Sequence, residues 1–268
     1  MSSPQLTMTE HPAWRPIDGQ YTRVFAMPGG ERWAVRAMGA QLTVTPLDGA
    51  KTLPQADEFA LDAGSPGGAA ELLAALGGIT PVRRFRNPSL WDAIGTAIVR
   101  QVIRAPQATK LYRLFCDTYG EKVALPTGHT YALFPTPTRT LSMSDDDFVR
   151  VGMAFKRRPL RQAAEAYWEH HKAWESLTPT ELVATLPKVK GIGVWTAGAA
   201  VADYWNAWDL YPYADLAVRT WAKRAAPSMT WPSTETEFSK TWRGLCGPHL
   251  SVMTLLTLAW GNHHAGTS

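Results

Sequence analysis

Residues 178–200 combine a strong helix start, two closely spaced glycines and a run of small residues. Thr178-Pro179-Thr180-Glu181 is a capping box with proline at the first helical position, which predicts that a helix begins there. Gly191 and Gly193 remove side chains where the backbone has to turn tightly, and a second helix follows at once. The segment therefore predicts two helices joined by a short hairpin.

The start of the second predicted helix suits an anionic ligand. Its first N–H groups have no acceptor within the helix, and the helix dipole places positive charge at the same end. Gly-x-Gly before a helix is common by itself, but the capping box and the small residues behind the glycines favour contact between main-chain amides and nucleic-acid phosphates. Such a contact reads no base sequence. The candidate DNA-binding residues of this segment are Lys188, Lys190, Gly191, Gly193 and Val194.

The N-terminal part of the chain predicts β-structure. Residues 21–27 and 32–37 flank Pro28-Gly29-Gly30 as a hairpin, and residues 41–45 form a third strand. Residues 1–20 show no periodicity and are predicted to be irregular. A short helix over residues 69–76 follows a polar linker.

From residue 87 onwards the pattern is helical. Asn87 is predicted to cap a helix with Pro88 at its first position, and apolar residues then recur every four positions up to Val102. Residues 126–140 contain several prolines and are predicted to form a loop, after which further helices follow. The predicted fold is mostly α with a small β-rich N-terminal part (α+β), divided into an antiparallel β-sheet subdomain with a short helix at 1–80 and a helical body at 81–268.

Composition excludes several classes of protein. The chain has two cysteines, Cys116 and Cys246, which cannot form a disulfide framework or a four-cysteine zinc or iron–sulfur site. We expect neither a signal peptide nor a membrane span, and hence a cytoplasmic protein. The formal net charge of +4 permits an anionic partner without identifying one.

The segment after the predicted hairpin strengthens the functional interpretation. The order Gly191-Ile192-Gly193-x-Trp195-Thr196-Ala197, then Asp209 to Pro212, then Asp215-x-x-Val218-Arg219 resembles the helix-hairpin-helix (HhH-GPD) DNA glycosylase superfamily, and most of all its 3-methyladenine DNA glycosylase II (alkylpurine) branch. Residues 97–102, 119–121 and 134–137 are similar to that branch in the same order. The resemblance covers about residues 87–262 and implies a fold with a cleft between helical subdomains.

The resemblance implies that Asp215 is the catalytic residue. A carboxylate near C1′ of the deoxyribose stabilises the positive charge that develops as the N-glycosidic bond breaks, and it can orient the attacking water. For an isolated aspartate before a helix, an N-cap role is the simpler interpretation, and the two roles are compatible. Superfamily members that also cleave the strand use a lysine two residues after the second hairpin glycine, where this chain has Trp195. The resemblance therefore implies a monofunctional enzyme without lyase activity.

The base pocket and the wedge residue are also implied by the resemblance. Trp195 matches the pocket tryptophan of the family, and Tyr211 and Tyr213 are further candidates for stacking on an electron-poor alkylated base. The wedge that fills the gap left by a flipped base follows the helix that matches residues 97–101, so Gln101 and Val102 are candidates. Val102 can equally be the end of the apolar stripe of its helix.

Several positions depart from the family pattern. Ala214 stands where a second acidic residue is common, Ala199 where a pocket tyrosine occurs, and Leu216 where an aromatic residue follows the catalytic aspartate. Lys190 replaces the usual proline before the first hairpin glycine. These changes leave the carboxylate in place but open the pocket, so they predict a substrate that differs from 3-methyladenine or is larger.

The resemblance further implies a ligand set and partners. Backbone carbonyls of Pro187, Val189 and Ile192 would hold a structural Na⁺ or K⁺ ion, and no other cofactor is expected. The expected partner is double-stranded DNA with damaged bases, bound by a monomer. Two alternatives stay open: a damaged-DNA-binding protein without turnover, and a metal-dependent hydrolase built on His170-His171 or His263-His264, whose ligand spacing fits poorly.

Overall fold

The computed structural model describes residues 6–62 and 69–265. The strands and helices follow in chain order. They are β1 (Leu6–Thr7), β2 (Arg15–Ile17), β3 (Gln20–Ala26), β4 (Arg32–Met38), β5 (Gln41–Pro46), β6 (Ala56–Phe59), α1 (Ala70–Gly77), β7 (Val82–Phe85), α2 (Leu90–Arg100), α3 (Ala105–Tyr119), β8 (Lys122–Ala124), β9 (Thr130–Ala132), α4 (Pro137–Ser142), α5 (Asp145–Arg150), α6 (Arg157–Glu175), α7 (Pro179–Thr185), α8 (Val194–Trp205), α9 (Leu216–Ala225), α10 (Glu235–Cys246) and α11 (Leu250–His264). The fold is α+β, as predicted, with most residues in helices.

A four-stranded antiparallel sheet forms the N-terminal part, in the order β2-β3-β4-β5. The predicted hairpin is present, with Val24 paired to Ala34 and Phe25 to Trp33, and Gly29 and Gly30 adopt positive φ in the turn. Val24 and Phe25 are both buried because one face of the sheet packs against the β8–β9 hairpin, through Val123, Leu125 and Tyr131, and the other face packs against a local aromatic cluster that includes Trp14 and Phe85.

A second sheet, in the order β1-β7-β6, was not predicted. Strand β1 pairs with β7 in parallel, and β6 pairs with β7 antiparallel. The prediction that residues 1–20 are irregular is therefore wrong for β1 and β2, and Trp14 between them is buried. Residues 1–5 lie outside the described part of the chain. Strand β7 lies after the predicted subdomain boundary at residue 80, but it pairs with β1 and β6, which lie before that boundary.

The helical body differs from the prediction at two places. Asn87 does not cap α2, because Ser89 accepts the N–H of Asp92 and is the N-cap residue. The predicted loop over residues 126–140 contains β9, which pairs with β8, and the start of α4, where Pro137 occupies an early helical position. The remaining helices lie where the pattern predicts them, within a few residues.

A buried polar cluster joins α8 to the N-terminal strands. Arg84 on β7 binds the Asp203 carboxylate at 2.7 Å and Glu10 at 2.8 Å, and Asn87 donates to Asp203 at 2.8 Å. His11 lies 3.3 Å from the same carboxylate. Burial alone would raise the pKa of Asp203, but the surrounding His11, Arg84 and Arg23 hold it well below its usual range. Asp203 is therefore ionised and paired at neutral pH.

None of the helices in the described part of the chain combines the length and the apolar composition that crossing a membrane requires.

Candidate active site

The predicted helix-hairpin-helix is formed by α7, a short turn and α8. Thr178 and Glu181 make the reciprocal capping-box hydrogen bonds at the start of α7. The turn is held by two backbone bonds, Val189 N–H to the Leu186 carbonyl and Ile192 N–H to the Val189 carbonyl, each 3.0 Å. Ile192, the apolar residue between the two glycines, is buried and anchors the turn to the core.

Gly191 is required by both the conformation and the packing of the turn. Its φ is +92°, a region that residues with a side chain rarely adopt. A Cβ at this position would lie 2.9 Å from Cβ and 3.1 Å from Cα of Pro159 in the first turns of α6. The turn therefore packs directly against α6.

Gly193 has a different role, since it leaves the start of α8 open. It is the N-cap residue, contributes no side-chain cap, and has ordinary extended dihedrals (φ −86°, ψ 176°). A Cβ here would meet nothing within 4 Å. Val194 is 82% exposed, and Lys188 and Lys190 are exposed beside it. The first amides of α8 thus lie at an uncovered, basic surface that can receive a phosphate oxygen.

Gln101 and Val102, the two wedge candidates, have different environments. The Gln101 side chain donates to the Gly191 carbonyl at 3.0 Å and to Oγ1 of Thr196 at 2.6 Å, so it is bound to the hairpin. Val102 is fully exposed and has a φ of +61°. A β-branched residue with positive φ is a conformational outlier, and outliers of this kind cluster at functional sites.

Asp215 lies at the N-terminus of α9 and is partly exposed. Its Oδ1 accepts the Leu216 N–H at 2.7 Å, and its Oδ2 accepts the Tyr211 hydroxyl at 2.9 Å. The N-cap role is therefore present, and the second oxygen is held by a phenol. Both carboxylate oxygens are therefore held in place by hydrogen-bond donors.

The loop that carries Asp215 packs against the hairpin helix. Gly198 on α8 allows this close approach, because a Cβ there would lie 2.6 Å from the Leu210 carbonyl oxygen and 3.1 Å from Cδ of Pro212. The Asp215 N–H is bound to the Pro212 carbonyl at 2.7 Å, which closes the turn before α9. Helix α8 thus follows the hairpin turn directly and also packs against the loop that carries Asp215.

The three aromatic pocket candidates are placed differently. Trp195 lies in the first turn of α8 and is half-buried, and Tyr211 is buried beneath Asp215. Burial, with the neighbouring Asp215 carboxylate, raises the pKa of Tyr211, so its hydroxyl stays protonated and donates. Tyr213 is half-buried and its hydroxyl accepts a hydrogen bond from Nε of Arg243 on α10 at 3.0 Å.

Two contacts of the site were not predicted from the sequence. Tyr211 was predicted to line the base pocket, and the hydrogen bond from its hydroxyl to Asp215 was not predicted. Lys156, in the short turn before α6, is 3% exposed and donates to the backbone carbonyl of Gln101 at 2.7 Å. Nothing in the local sequence signals a buried lysine, because its acceptor is 55 residues away.

The carbonyls expected to hold a cation are those of Pro187, Val189 and Ile192. The Val189 carbonyl accepts the Ile192 N–H and keeps a second lone pair, whereas the Gly191 carbonyl is taken by Gln101. Within residues 6–62 and 69–265, no three or more His, Cys, Asp and Glu side chains are grouped to hold a metal. The paired histidines thus lack the ligand group that a hydrolase metal site would require.

Comparison with known proteins supports the resemblance. A curated relative, DNA-3-methyladenine glycosylase 2 of Escherichia coli (strain K12), is 28% identical over 181 residues, which cover 64% of this chain and 59% of the relative. This chain therefore matches about three-fifths of that relative's length. No protein-family model matches the chain.

Solved structures share the fold at low sequence identity. The 3-methyladenine DNA glycosylase from Archaeoglobus fulgidus superposes with a TM-score of 0.66 at 17% identity, covering 92% of this chain and 88% of that one. A Clostridium acetobutylicum 8-oxoguanine glycosylase/lyase, solved with double-stranded DNA containing cytosine opposite 8-oxoG, superposes with a TM-score of 0.69 at 16% identity, covering 96% and 89%.

Proposed function

Because this chain has the fold of the helix-hairpin-helix DNA glycosylases and resembles their 3-methyladenine DNA glycosylase II branch, we propose that it is a monofunctional DNA glycosylase. In this proposal it acts as a monomer on double-stranded DNA in base excision repair, in a cytoplasm where it associates with the nucleoid. Its substrates are N3- or N7-alkylated purines. The observation that carries the proposal is the Asp215 carboxylate, fixed by two donors beside an open phosphate-binding turn.

The proposed reaction is hydrolysis of the N-glycosidic bond of a flipped nucleotide. The C1′–N bond breaks, its electron pair leaves with the cationic alkylpurine, and positive charge develops on the sugar. Asp215 stabilises that charge and orients a water whose oxygen adds to C1′ and whose proton is released. One such preorganised electrostatic contact contributes about 3–4 kcal/mol to lowering the barrier.

The remaining site residues have distinct roles in this proposal. The amides of Gly193 and Val194, with Lys188 and Lys190, bind a backbone phosphate, and Gly191 shapes the turn. Val102, exposed and apolar, enters the duplex in place of the flipped base. Gln101 is tied to the hairpin by its side chain and supports the turn that presents Val102.

The base pocket and the cation complete the proposal. Trp195, with Tyr213 at the margin, stacks on the electron-poor base, and stacking selects cationic alkylpurines without many hydrogen bonds. The backbone carbonyls of Pro187, Val189 and Ile192 would hold a Na⁺ or K⁺ ion, which would supply positive charge near the phosphate. The absence of a side-chain amine at Trp195 supports hydrolysis without strand cleavage.

Base release from methylated DNA tests the proposal. Duplex DNA treated with a methylating agent is incubated with the wild type, with Asp215→Asn, and with Asp209→Asn, which removes the same charge from an exposed position in the same loop. Free bases are identified by mass spectrometry, and a duplex containing 8-oxoguanine is assayed in parallel. We expect release of methylpurines by the wild type and Asp209→Asn, and about 10²–10³-fold slower release by Asp215→Asn.

Other outcomes identify the alternatives. Equal rates for wild type and Asp215→Asn would exclude a catalytic role for Asp215. Tight binding of damaged DNA without release by any variant would identify a binding protein. Release of 8-oxoguanine alone would contradict the alkylpurine specificity, and covalent trapping by borohydride would contradict the monofunctional mechanism.

A further inference from the structure

Lys156 occupies a costly position for a charged side chain. It is 3% exposed, lies in the Ala154–Lys156 turn before α6, and donates from Nζ to the carbonyl of Gln101 at 2.7 Å. Burial lowers its pKa to about 8. Burying an ammonium group costs free energy unless the group is hydrogen-bonded, and Lys156 makes this bond to the Gln101 carbonyl.

The carbonyl that Lys156 binds belongs to the peptide that precedes Val102. Rotation of this peptide plane changes ψ of Gln101 and φ of Val102 together. These angles are 131° and +61°, and the second is unfavourable for a β-branched residue. A peptide whose carbonyl is held cannot rotate to relieve that strain.

The same residue is also fixed to the hairpin. Through its side chain, Gln101 donates to the Gly191 carbonyl and to Thr196 at the start of α8. Its backbone carbonyl binds Lys156 and its side chain binds the phosphate-binding turn, so both ends of this residue are held. The exposed side chain of Val102 therefore has a fixed position relative to that turn.

We propose that Lys156 is a positioning residue for DNA distortion. It holds the peptide between Gln101 and Val102 in one orientation, so that Val102 keeps a fixed position relative to the phosphate-binding hairpin when it enters the duplex. This inference deepens the proposed function, on which it rests for the role of Val102. Lys156 itself touches neither the base nor the reacting atoms.

A fluorescence assay of base unstacking tests the inference without requiring base release. The probe is a duplex with 2-aminopurine next to an abasic-site analogue, whose fluorescence rises when the wedge opens the stack. The variants are Lys156→Met, Val102→Ala and the double variant. Lys172→Met, which removes an exposed lysine near the other end of α6, is the matched control.

We expect Lys156→Met and Val102→Ala each to reduce the unstacking equilibrium about fivefold or more, and the double variant to be no worse than Val102→Ala alone. Lys172→Met should behave as the wild type. Thermal melting verifies that each variant is folded. Lys156→Gln, which retains a donor, is the second variant, and its defect should be the smaller one.

The inference is overturned if Lys156→Met unstacks the probe as the wild type does, or if the defects of the two single variants multiply in the double variant. It is also overturned if the wild type itself leaves the probe stacked. Failure of the proposed function has a separate signature, since the wild type would then unstack the probe but release no base from methylated DNA.

Discussion

Alanine variants of the two hairpin glycines test separately how the turn contributes to stability and how it contributes to DNA binding. Gly191→Ala places a side chain at a φ of +92°, which costs about 1–2 kcal/mol for an L-residue. The new Cβ would lie 2.9 Å from Cβ of Pro159, so the turn or α6 has to shift as well. The combined loss in the free energy of unfolding is about 2–3 kcal/mol.

Gly193→Ala changes the same turn without these costs. Its φ of −86° and ψ of 176° suit alanine, and its Cβ has no neighbour within 4 Å. Alanine is a poorer N-cap residue than glycine, which costs about 0.5–1 kcal/mol. The methyl group would, however, project at the uncovered start of α8 and hinder a phosphate from reaching the amides. We therefore expect near-normal stability and at least about tenfold weaker DNA binding.

Thermal unfolding and fluorescence anisotropy with a short duplex at fixed salt measure the two effects. Gly191→Ala should lower Tm by about 5–10 °C, whereas Gly193→Ala should change it by less than about 3 °C. If Gly193→Ala binds duplex DNA as tightly as the wild type, the amides at the start of α8 do not contact phosphate. If Gly191→Ala is as stable as the wild type, the account of the turn is wrong.

Three further predictions concern the carboxylate, the basic surface and the buried lysine. Tyr211→Phe removes the 2.9 Å donor to Asp215 and should slow base release about tenfold with little change in Tm; a rate equal to that of the wild type would show that the phenol does not position the carboxylate. Lys190→Ala should weaken duplex binding and reduce the slope of log Kd against log salt by about 1, and an unchanged slope would place Lys190 away from phosphate. Because the pKa of Lys156 falls from 10.5 to about 8 on folding, the unfolded chain binds the extra proton between these values, and stability rises with pH there. In chemical denaturation, the free energy of unfolding of the wild type, relative to that of Lys156→Met, should rise by about 2 kcal/mol between about pH 7.5 and about pH 9.5. If the difference between the two free energies of unfolding does not change with pH, the burial of this ammonium group is contradicted.

Short sequence patterns correctly predicted the elements that depend only on residues close to one another in the chain. The capping box at Thr178, the Pro28-Gly29-Gly30 turn and the helix over 216–225 all depend on residues close in sequence, and the structure contains each of them. The α+β class followed from these elements alone. The hairpin within residues 178–200 and the position of Asp215 before a helix also followed from local pattern, and the resemblance added the catalytic role expected of Asp215.

Elements that depend on distant partners could not be predicted. Strand β1 has two residues and exists because it pairs with β7, more than seventy residues later. Strand β9 lies in a proline-rich stretch and exists because it pairs with β8. A short strand has too few residues for a period to be visible, so its pairing partner decides its structure.

The same limit applies to the site. Asn87 looks like a helix cap from its neighbours, but its side chain binds Asp203 and Asp92 instead. The sequence around Lys156 does not indicate that this residue is buried, because the carbonyl that it binds lies at the end of a different helix. Gln101 and Val102 were indistinguishable as wedge candidates, and only the tertiary contacts of Gln101 separate them.

The Arg84–Asp203 contact has a consequence for how far the protein can be shortened. Asp203 lies on the helix that begins at the glycine-containing hairpin turn, and its cationic partner Arg84 lies in a strand paired with β1 and β6. Trimming the chain to residues 90–265 would remove Arg84 and leave Asp203 without this counter-charge, and loss of one partner of a buried ion pair costs about 3–5 kcal/mol. The small N-terminal sheets therefore stabilise the helix that begins at the hairpin turn, although they contact the opposite end of that helix.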